Sequence, residues 1–304
     1  MNGMITRRGF VSGALLASAG ALARPVFAAK AKERKLHVGH TGITWSNDHV
    51  EDAVTGIASL GFYGFETFGD VLVKWDDRGG LGTVLEEHKL ALISGYCSIN
   101  LTDPTQRAAE MVKADRYCEV IKKYKGRIFV VGPNGVRRSN YDFAASKANI
   151  VSTLNELAKR VEDHGLTPVL HQHTGTCVES RDETYAVLEA ADTKHLKFGP
   201  DVGQLTKGGQ DAVQVVKDFL PIVQHMHLKD YNGKDDHLSG YCPLGEGTVN
   251  VPAILDMMEG RTISGMVMGE LDNDGRNLSQ RSPEELVKQS RDYLETLGIR
   301  FRQT

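Results

Sequence analysis

Beyond its first 28 residues, the sequence contains no long apolar run. A membrane-spanning helix needs about 20 consecutive apolar residues, and no later segment of this 304-residue chain reaches that length. An excess of positive charge is also missing, because the formal net charge is −3. Nucleic-acid-binding domains normally carry a basic patch that neutralises phosphates. The sequence therefore argues against a membrane-spanning domain and against nucleic acid as a partner.

Cysteine is scarce, and its spacing excludes the common zinc-knuckle patterns. The chain has four cysteines, and no two of them form a C-x-x-C pair. Cys177 and Cys242 both fall in predicted loops on one face, where an exported protein could form a disulfide. Buried free thiols are the alternative. Low-complexity tracts, linkers, internal repeats and a glycine-rich phosphate cradle are absent as well, which favours one globular domain.

The first 28 residues are set apart from the rest of the chain. Residues 6–11 read Thr-Arg-Arg-Gly-Phe-Val, a twin-arginine export pattern, and an apolar run from Val11 to Ala23 follows. We expect residues 1–28 to be a signal peptide, cleaved after Ala28, and residues 29–304 to be a periplasmic domain. Cleavage changes the formal charge to −6, because the leader carries three arginines and no acidic residue. The alternative is an N-terminal membrane anchor, for which the apolar run is short.

Strand and helix patterns alternate along the remaining chain. The apolar, β-rich runs are typical of strands that are buried on both faces. Eight such strands are predicted, near residues 36–43, 62–67, 90–97, 127–132, 167–173, 196–202, 222–228 and 264–271. Helical patterns lie between them, near residues 48–60, 81–89, 104–125, 142–164, 182–191, 209–219, 252–259 and 283–297. Eight repeats of strand and helix imply a closed parallel sheet. The predicted fold is α/β, a single (β/α)8 TIM barrel over residues 29–304.

Polar residues stand where four of these predicted strands end. His171 and His173 close the fifth strand, Asp201 the sixth, His227 the seventh and Glu270 the eighth. A parallel barrel brings the carboxyl ends of its strands to one face. Imidazoles and carboxylates that converge there suit a divalent metal ion. A buried histidine with a backbone partner would explain any one of these residues, but not all four strand ends together.

The segments around these strand ends resemble a known family, the xylose isomerase-like sugar phosphate isomerase/epimerase barrels. Ketose 3-epimerases and inosose dehydratase belong to that family. The similarity is greatest in residues 171–179 (His-Gln-His-Thr-Gly-Thr-Cys-Val-Glu), 201–203 (Asp-Val-Gly), 225–230 (His-Met-His-Leu-Lys-Asp) and 243–247 (Pro-Leu-Gly-Glu-Gly). The resemblance covers essentially the whole mature chain and implies the same barrel.

The resemblance also implies a ligand set for one divalent ion. The family uses Glu, Asp, His and Glu, and Asp201, His227 and Glu270 match the last three. The first ligand departs from the pattern, because this chain has His171 where ketose epimerases have glutamate; His173 is the other candidate. Manganese is the expected ion, with cobalt, iron, zinc or magnesium as alternatives. The relatives are often dimers or tetramers, so a homo-oligomer is an open expectation.

Further residues are candidates for contact with substrate. Catalytic roles are predicted for Glu270 as a base, and for either Glu179 or Glu66 as the acid. Substrate contacts are predicted for five other residues: His40, Trp45, His173, Gln204 and Lys229. Trp45 offers a face on which a sugar ring can stack, and Lys229 is expected either to bind a substrate oxygen or to pair with Asp201 or Asp230. Helix capping, packing or solvated surface positions are the structural alternatives for these residues.

We therefore predict a metal-dependent sugar isomerase or epimerase that removes a proton next to a carbonyl. Its partner would be an unphosphorylated sugar or keto-sugar, because no phosphate cradle is evident and sugar phosphates are intracellular. The missing glutamate favours one-base chemistry, so a lyase acting on 3-keto-glycosides or inososes is the near alternative. A non-catalytic periplasmic sugar-binding barrel is a third hypothesis. An abasic-site endonuclease would need a basic groove and a multi-zinc ligand set.

Overall fold

The computed structural model describes residues 33–234, 237–259, 266–272 and 280–303. The predicted signal peptide lies outside these residues. No helix in the described ranges has the length and apolar character that a membrane span requires. Every described cysteine, which is all four, is a buried free thiol.

Eight parallel strands form the central sheet, and two further strands, β8 Asp230–Tyr231 and β9 Tyr241–Cys242, form a separate hairpin. The sheet strands are β1 His37–Thr41, β2 Gly64–Phe68, β3 Ala91–Ile99, β4 Ile128–Pro133, β5 Thr167–Leu170, β6 Lys197–Phe198, β7 His227–Leu228 and β10 Met266–Gly269. Their order in the sheet is β6-β5-β4-β3-β2-β1-β10-β7. The two ends of this order meet through single bridges, Phe198 with Val223 and Asp201 with His227. The sheet is thereby curled into a TIM barrel, which confirms the predicted fold class.

Helices pack around the sheet and bury their apolar faces against it. Two of them begin with a capping box, in which Ser180 and Ser282 each bond the backbone three residues on. The α-helices of the described chain are α1 Val50–Ser59, α2 Gly69–Arg78, α3 Leu81–Glu87, α4 Arg107–Lys123, α5 Phe143–Asp163, α6 Arg181–Ala190, α7 Val202–Lys207, α8 Ala212–Asp218, α9 Val251–Met258 and α10 Pro283–Thr296. Short 3-10 helices lie at Gly42–Trp45, Arg138–Asn140, Leu220–Ile222 and His237–Gly240.

The loop after β7 is built around one buried carboxylate. Asp230 begins the two-stranded hairpin of β8 and β9. Its side chain accepts backbone N–H groups from Gly245, Gly247 and Val249 at 2.9–3.0 Å. A Cβ atom on Gly247 would collide with that carboxylate. The segment 243–247 is therefore held against the C-terminal end of the barrel by Asp230.

Two helices differ from the sequence expectation. The segment Gly69–Arg78 forms α2, although the sequence pattern predicts no helix there. Asp201 caps α7, which begins directly at Val202, whereas the predicted helix begins at residue 209. The strands β5, β6 and β7 are also shorter than predicted. β5 ends three residues and β6 four residues earlier than predicted, whereas β7 begins at His227, five residues later than predicted.

Candidate active site

A cavity opens at the C-terminal ends of the barrel strands. Strand ends from both halves of the sequence line it, as expected for the catalytic face of a TIM barrel. The lining residues are Thr41, Ile43, Glu66, Thr67, Phe68, Tyr96, His171, His173, Glu270 and Asp272.

Three metal-ligating side chains converge beside this cavity. His171 follows β5, Asp201 follows β6 and His227 begins β7. One ligand atom from each lies within 4.8 Å of the others, and all three residues are buried. The backbone fixes this closeness, because Asp201 and His227 form a parallel bridge across the barrel seam. The structure thus brings together three of the four residues predicted as metal ligands.

His171 carries two buried ring nitrogens without a hydrogen-bond partner. The residue is 1% exposed, and a buried polar atom without a partner is costly. Burial, helped by the neighbouring His227 and His173, lowers the pKa of His171 well below its usual value, so its imidazole is neutral. A neutral imidazole with a free lone pair is the form that binds a metal ion.

Glu270 is the fourth predicted ligand, and it contacts this trio through His227. Its Oε2 lies 3.0 Å from Nδ1 of His227, and its Oε1 accepts a hydrogen bond from Lys229 at 2.8 Å. Burial alone would raise the pKa of Glu270, but the charges of His227 and Lys229 outweigh it and bring the pKa well below its usual range. The carboxylate therefore faces the cavity in its ionised form, as a base requires.

Lys229 is a completely buried ammonium surrounded by carboxylates. Its Nζ lies 2.8 Å from Glu270 and from Asp272, and 3.3 Å from Asp201. Burial acts to lower the pKa of Lys229, but these acids raise it well above its usual value. A Cβ atom on Gly203 would lie 2.7 Å from the Lys229 side chain, so the Asp-Val-Gly turn leaves it room. Of the two predicted partners, Asp201 pairs with Lys229, whereas Asp230 instead binds the loop described above.

His173 and Gln204 contact each other at the edge of the site. The His173 ring shares a 2.8 Å contact with the Gln204 amide, and Thr174 donates to Oε1 of Gln204 at 2.6 Å. His173 lines the cavity, with its ring centroid 5.9 Å from that of His171. Both ring nitrogens of His173 are engaged, one of them with the carbonyl of Thr174. Between the two candidates for the first ligand, the geometry therefore favours His171.

Glu66 borders the cavity, but its carboxylate is already engaged. Oε1 lies 2.8 Å from Nε2 of His227, and Oε2 lies 3.0 Å from Nε2 of His225 and accepts from Ser94. Burial alone would raise the pKa of Glu66, but His227 and His225 outweigh it and lower the pKa. The geometry is unfavourable to the predicted role of proton donor, because an ionised carboxylate with no spare oxygen holds no proton to give.

Trp45 and His40 lie outside the cavity lining. The indole of Trp45 donates to Glu284 on α10 at 2.7 Å and packs edge-on against His40. His40 is 1% exposed, and its Nδ1 contacts its neighbouring backbone carbonyl. These two residues pack the first loop, and neither is placed to stack on a sugar.

The aromatic wall of the cavity comes instead from Phe68 and Tyr96. Their rings meet edge to face with centroids 5.3 Å apart, and Tyr96 lies 5.2 Å from His171. Sequence reasoning missed both, although each stands at or near the end of a predicted strand. Asp272 was missed as well; its position two residues after Glu270 is the signal that could have identified it.

Glu179 lies at the rim rather than in the cavity. Its carboxylate is 3.5 Å from the Arg138 guanidinium and accepts the backbone N–H of Gly175. Its main-chain carbonyl accepts from Gln210. This arrangement stabilises the loop after β5, and the predicted role as an acid would require the side chain to leave it.

The donor set fits one divalent ion. Two imidazoles and one carboxylate, from His171, Asp201 and His227, form a mixed nitrogen and oxygen set that suits Zn²⁺, Mn²⁺, Fe²⁺ or Co²⁺, and Glu270 lies beside this set against His227. The unpartnered nitrogens of His171 are the observation on this structure that a bound ion would explain. A second trio, Glu66, His225 and His227, is also close enough to share an ion, but its members already contact one another.

Comparison with known proteins identifies a family. Residues 54–297 match the family described as Xylose isomerase-like TIM barrel. An inosose dehydratase of Mesomycoplasma hyopneumoniae is 23% identical over 300 residues, covering 88% of this chain and 97% of the relative.

Two solved structures share the fold at low identity. The 3-keto-D-glucoside 4-epimerase of E. coli superimposes with a TM-score of 0.64 at 17% identity, covering 86% of this chain and 98% of the other. A structure described as IolI protein with a bound zinc atom has a TM-score of 0.69 at 14% identity, covering 86% and 98%. Each of these three alignments covers nearly the full length of the other protein.

Proposed function

Because the chain belongs to the xylose isomerase-like TIM barrel family, we propose that it is a metal-dependent enzyme acting on an uncharged keto-sugar or inosose. In the proposed reaction, Glu270 removes a proton from the carbon next to the carbonyl. Glu270 then gives this proton to the hydroxyl group on the following carbon, which leaves as water as the new C=C bond forms, so the enzyme is a dehydratase-type lyase. The similarity to an inosose dehydratase supports this assignment.

One observation carries the proposal. Glu270 is the one carboxylate of the proposed ligand set that lines the cavity, and the side chain at the fifth strand end is the neutral imidazole of His171. An epimerase of this family would use two carboxylates to exchange protons on opposite faces. A single base suits a reaction in which one proton is removed and a neighbouring group departs.

The charges around the cavity favour an uncharged substrate. Glu66, Glu270 and Asp272 line it, and no arginine or lysine is among its described lining residues. The ammonium of Lys229 is neutralised by three carboxylates. The carboxylates of Glu66, Asp201, Glu270 and Asp272 would offset the positive charges of Lys229 and of one divalent ion, so no excess positive charge is left for a phosphate or carboxylate on the substrate. Hydroxyl groups, in contrast, can donate hydrogen bonds to the acids.

His171, Asp201, His227 and Glu270 would hold the ion. A divalent ion bound there would act as a Lewis acid on the substrate carbonyl and make the adjacent carbon more acidic. The protein itself positions the base, since His227 and Lys229 fix the two oxygens of Glu270. Phe68 and Tyr96 would pack against the apolar face of the ring. Zinc in a similar structure makes zinc a candidate beside manganese.

The test is a screen of unphosphorylated keto-sugars and inososes in D₂O with metal-loaded protein. We expect a product that has lost one water and absorbs as a conjugated enone, and no product with Glu270→Gln. Loss of proton transfer to one general base typically lowers the rate by about 10²- to 10⁴-fold. Sugar-dependent thermal stabilisation without exchange or turnover would instead indicate a binding protein.

A sugar isomerase or epimerase is the second candidate. Asp272 favours it, because this second carboxylate lines the same cavity and could serve as the opposing base. Deuterium would then enter the sugar carbon without loss of water. Asp272→Asn should block that reaction while leaving Glu270-dependent exchange, whereas a lyase that uses Glu270 alone should keep turning over.

We also propose that the enzyme works in the periplasm after export in folded form. The twin-arginine pattern at residues 6–11 supports this proposal. Replacing Arg7 and Arg8 together with lysine should retain the protein in the cytoplasm of its host. Cell fractionation with an antibody to the mature domain measures this, and unchanged distribution would contradict the proposal.

A further inference from the structure

Glu66 contacts a proposed metal ligand on a strand that is not its neighbour, since β1 and β10 lie between the two strands in the sheet. It lies on β2, and His227 lies on β7, 161 positions along the chain. The Glu66 side chain crosses the barrel interior, and its Oε1 reaches Nε2 of His227 at 2.8 Å. Both residues are buried, at 1% and 0% exposure. A buried carboxylate at this depth needs a specific reason, since ionised side chains are rarely buried without partners.

The strand geometry is adapted to place Glu66 there. The pairing of β2 with β3 shifts between Phe65 and Glu66, so that Phe65 pairs with Leu92 but Glu66 pairs with Ser94. Such a bulge changes the direction of a side chain and locally interrupts the hydrogen bonds between the two strands. It brings Ser94 beside Glu66, where the serine hydroxyl donates to Oε2. His225 contacts the same oxygen at 3.0 Å, so Ser94 and His225 together fix Oε2 and leave Oε1 against His227.

The contact determines which nitrogen of His227 faces the proposed metal site. With Nε2 against Glu66, the other ring nitrogen, Nδ1, points toward Glu270 at 3.0 Å. Histidines that bind metal ions commonly donate the opposite ring N–H to a carboxylate, which fixes the tautomer and the ring orientation. We propose that Glu66 is a positioning residue that holds the His227 imidazole with Nδ1 directed at the metal site. This inference rests on the proposed function, because it presupposes that a divalent ion binds.

Glu66 could serve the fold in two different ways, and each leads to a different result. A purely structural Glu66 would neutralise the buried histidines without affecting metal affinity. Alternatively, Glu66, His225 and His227 could form a second ion site of their own. Both oxygens of Glu66 already contact Ser94 and the two histidines, which favours the positioning role over that of a ligand.

The experiment is a titration of the metal-depleted full chain with Co²⁺, followed by the visible absorption of the bound cobalt. Glu66→Gln keeps the size of the side chain and removes its charge. We expect the Co²⁺ dissociation constant to rise by about 10- to 100-fold, the effect typical of such supporting groups. The absorption spectrum of the bound cobalt should also change, because His227 is no longer held in one orientation.

Glu183→Gln is the matched control. Glu183 is also buried, at 7% exposure, and its carboxylate binds Arg138 and backbone N–H groups rather than a proposed ligand. Its substitution should leave Co²⁺ affinity and spectrum unchanged. If Glu66→Gln does not fold, Ser94→Ala replaces it, since that change removes only the hydroxyl that anchors Oε2. It should weaken Co²⁺ binding in the same direction by a smaller factor.

Three results would contradict the proposal or its premise. Wild-type affinity in Glu66→Gln, or in Ser94→Ala when Glu66→Gln is unfolded, would mean that Glu66 does not position His227. A fall in the number of bound cobalt ions from two to one per chain would make Glu66 a ligand itself. Failure of the wild-type chain to bind Co²⁺ would instead refute the metal-dependent function, and so separates the two claims.

Discussion

At the scale of single residues, Lys229 offers the sharpest stability test. It is fully buried between Asp201, Glu270 and Asp272. Lys229→Met would leave three carboxylates facing one another, and breaking a buried ion pair typically costs about 3–5 kcal/mol. We expect a loss of that size in the free energy of unfolding, measured in urea on metal-free protein. Added divalent metal should restore part of it, because the ion replaces the missing positive charge.

Lys123→Met is the control for that measurement. Lys123 pairs with Asp76 at 2.6 Å, but its side chain is 59% exposed. Exposed ion pairs contribute about 0–1 kcal/mol, so the control should lose less than about 1 kcal/mol. Equal losses in the two variants would mean that the buried ammonium has no special role.

His40 predicts how stability depends on pH. Burial lowers the pKa of His40 to about 4, and the hydrogen bond to Thr41 only partly opposes this effect. In the unfolded chain the ring titrates near its ordinary value of about 6.5. The unfolded state therefore binds more protons between these values, and stability falls as the pH drops below about 6.5.

A comparison with His40→Gln measures the contribution of that ring. Between about pH 7.5 and pH 5, the wild-type protein should lose about 2 kcal/mol more unfolding free energy than the variant. Urea titrations of metal-free protein at the two pH values give this difference. Parallel pH dependence in the two proteins would show that His40 is not buried in its neutral form.

Much of the candidate site could be predicted from the sequence at this scale. What could not be predicted depends on contacts between residues that are distant in the chain. His171, Asp201, His227 and Glu270 follow strand ends, and the barrel topology alone brings such positions to one face. The role of Glu66 could not be predicted, because it depends on a register shift between two strands. The orientation of Trp45 could not be predicted for a similar reason, because its indole donates a hydrogen bond to Glu284, 239 residues later.

At the scale of structural elements, the loop held by Asp230 can be loosened selectively. Asp230→Ala removes the acceptor of the Gly245, Gly247 and Val249 N–H groups. Hydrogen bonds to a charged group contribute about 1.5–3 kcal/mol each. We expect faster hydrogen exchange at these three amides and weaker substrate binding if the loop shapes the cavity mouth. Exchange resolved by mass spectrometry or NMR is the measurement.

Asp211→Ala provides the comparison. Asp211 caps α8 by accepting the Gln214 N–H, and loss of such a cap costs about 1 kcal/mol. That variant should be somewhat less stable, with unchanged exchange in residues 243–249. Unchanged exchange at those residues in Asp230→Ala would show that other contacts hold the loop.

The elements themselves were predicted unevenly. Long amphipathic helices such as Phe143–Asp163 agree with the sequence pattern to within a residue or two. The helix Gly69–Arg78 was missed because its large buried apolar side chains, Val71, Leu72 and Trp75, are few and it directly follows a strand. The short helix Val202–Lys207 was hidden because its cap, Asp201, was interpreted only as a metal ligand.

At the scale of the whole molecule, metal binding should stabilise the barrel. A ligand that binds the native state alone contributes about 2.7 kcal/mol at 100 times its dissociation constant. We expect metal to raise the melting temperature of the wild-type chain but not that of Asp201→Ala. Elemental analysis should find about one divalent ion per wild-type chain, as the single proposed ligand set implies.

The matched control for that comparison is Asp211→Ala, which also removes a helix cap but lies outside the site. Asp201 accepts the Gln204 N–H in the same way, so the two variants lose equivalent caps. Metal-dependent stabilisation that persists in Asp201→Ala would contradict the proposed ligand set.

The pairing of β6 with β7 has a consequence for how the metal site would form during folding. Strands β6 and β7 meet where Asp201 bridges His227, and the N–H of His227 donates to the carbonyl of Pro200 at 2.9 Å. These two strands are consecutive along the chain, and their ligands are 26 residues apart. His171 follows β5, the preceding strand, and Glu270 follows β10, the next strand of the sheet along the chain. All the proposed ligands thus come from the last four strands of the central sheet, so assembly of the metal site would be a local event of the C-terminal half of the chain.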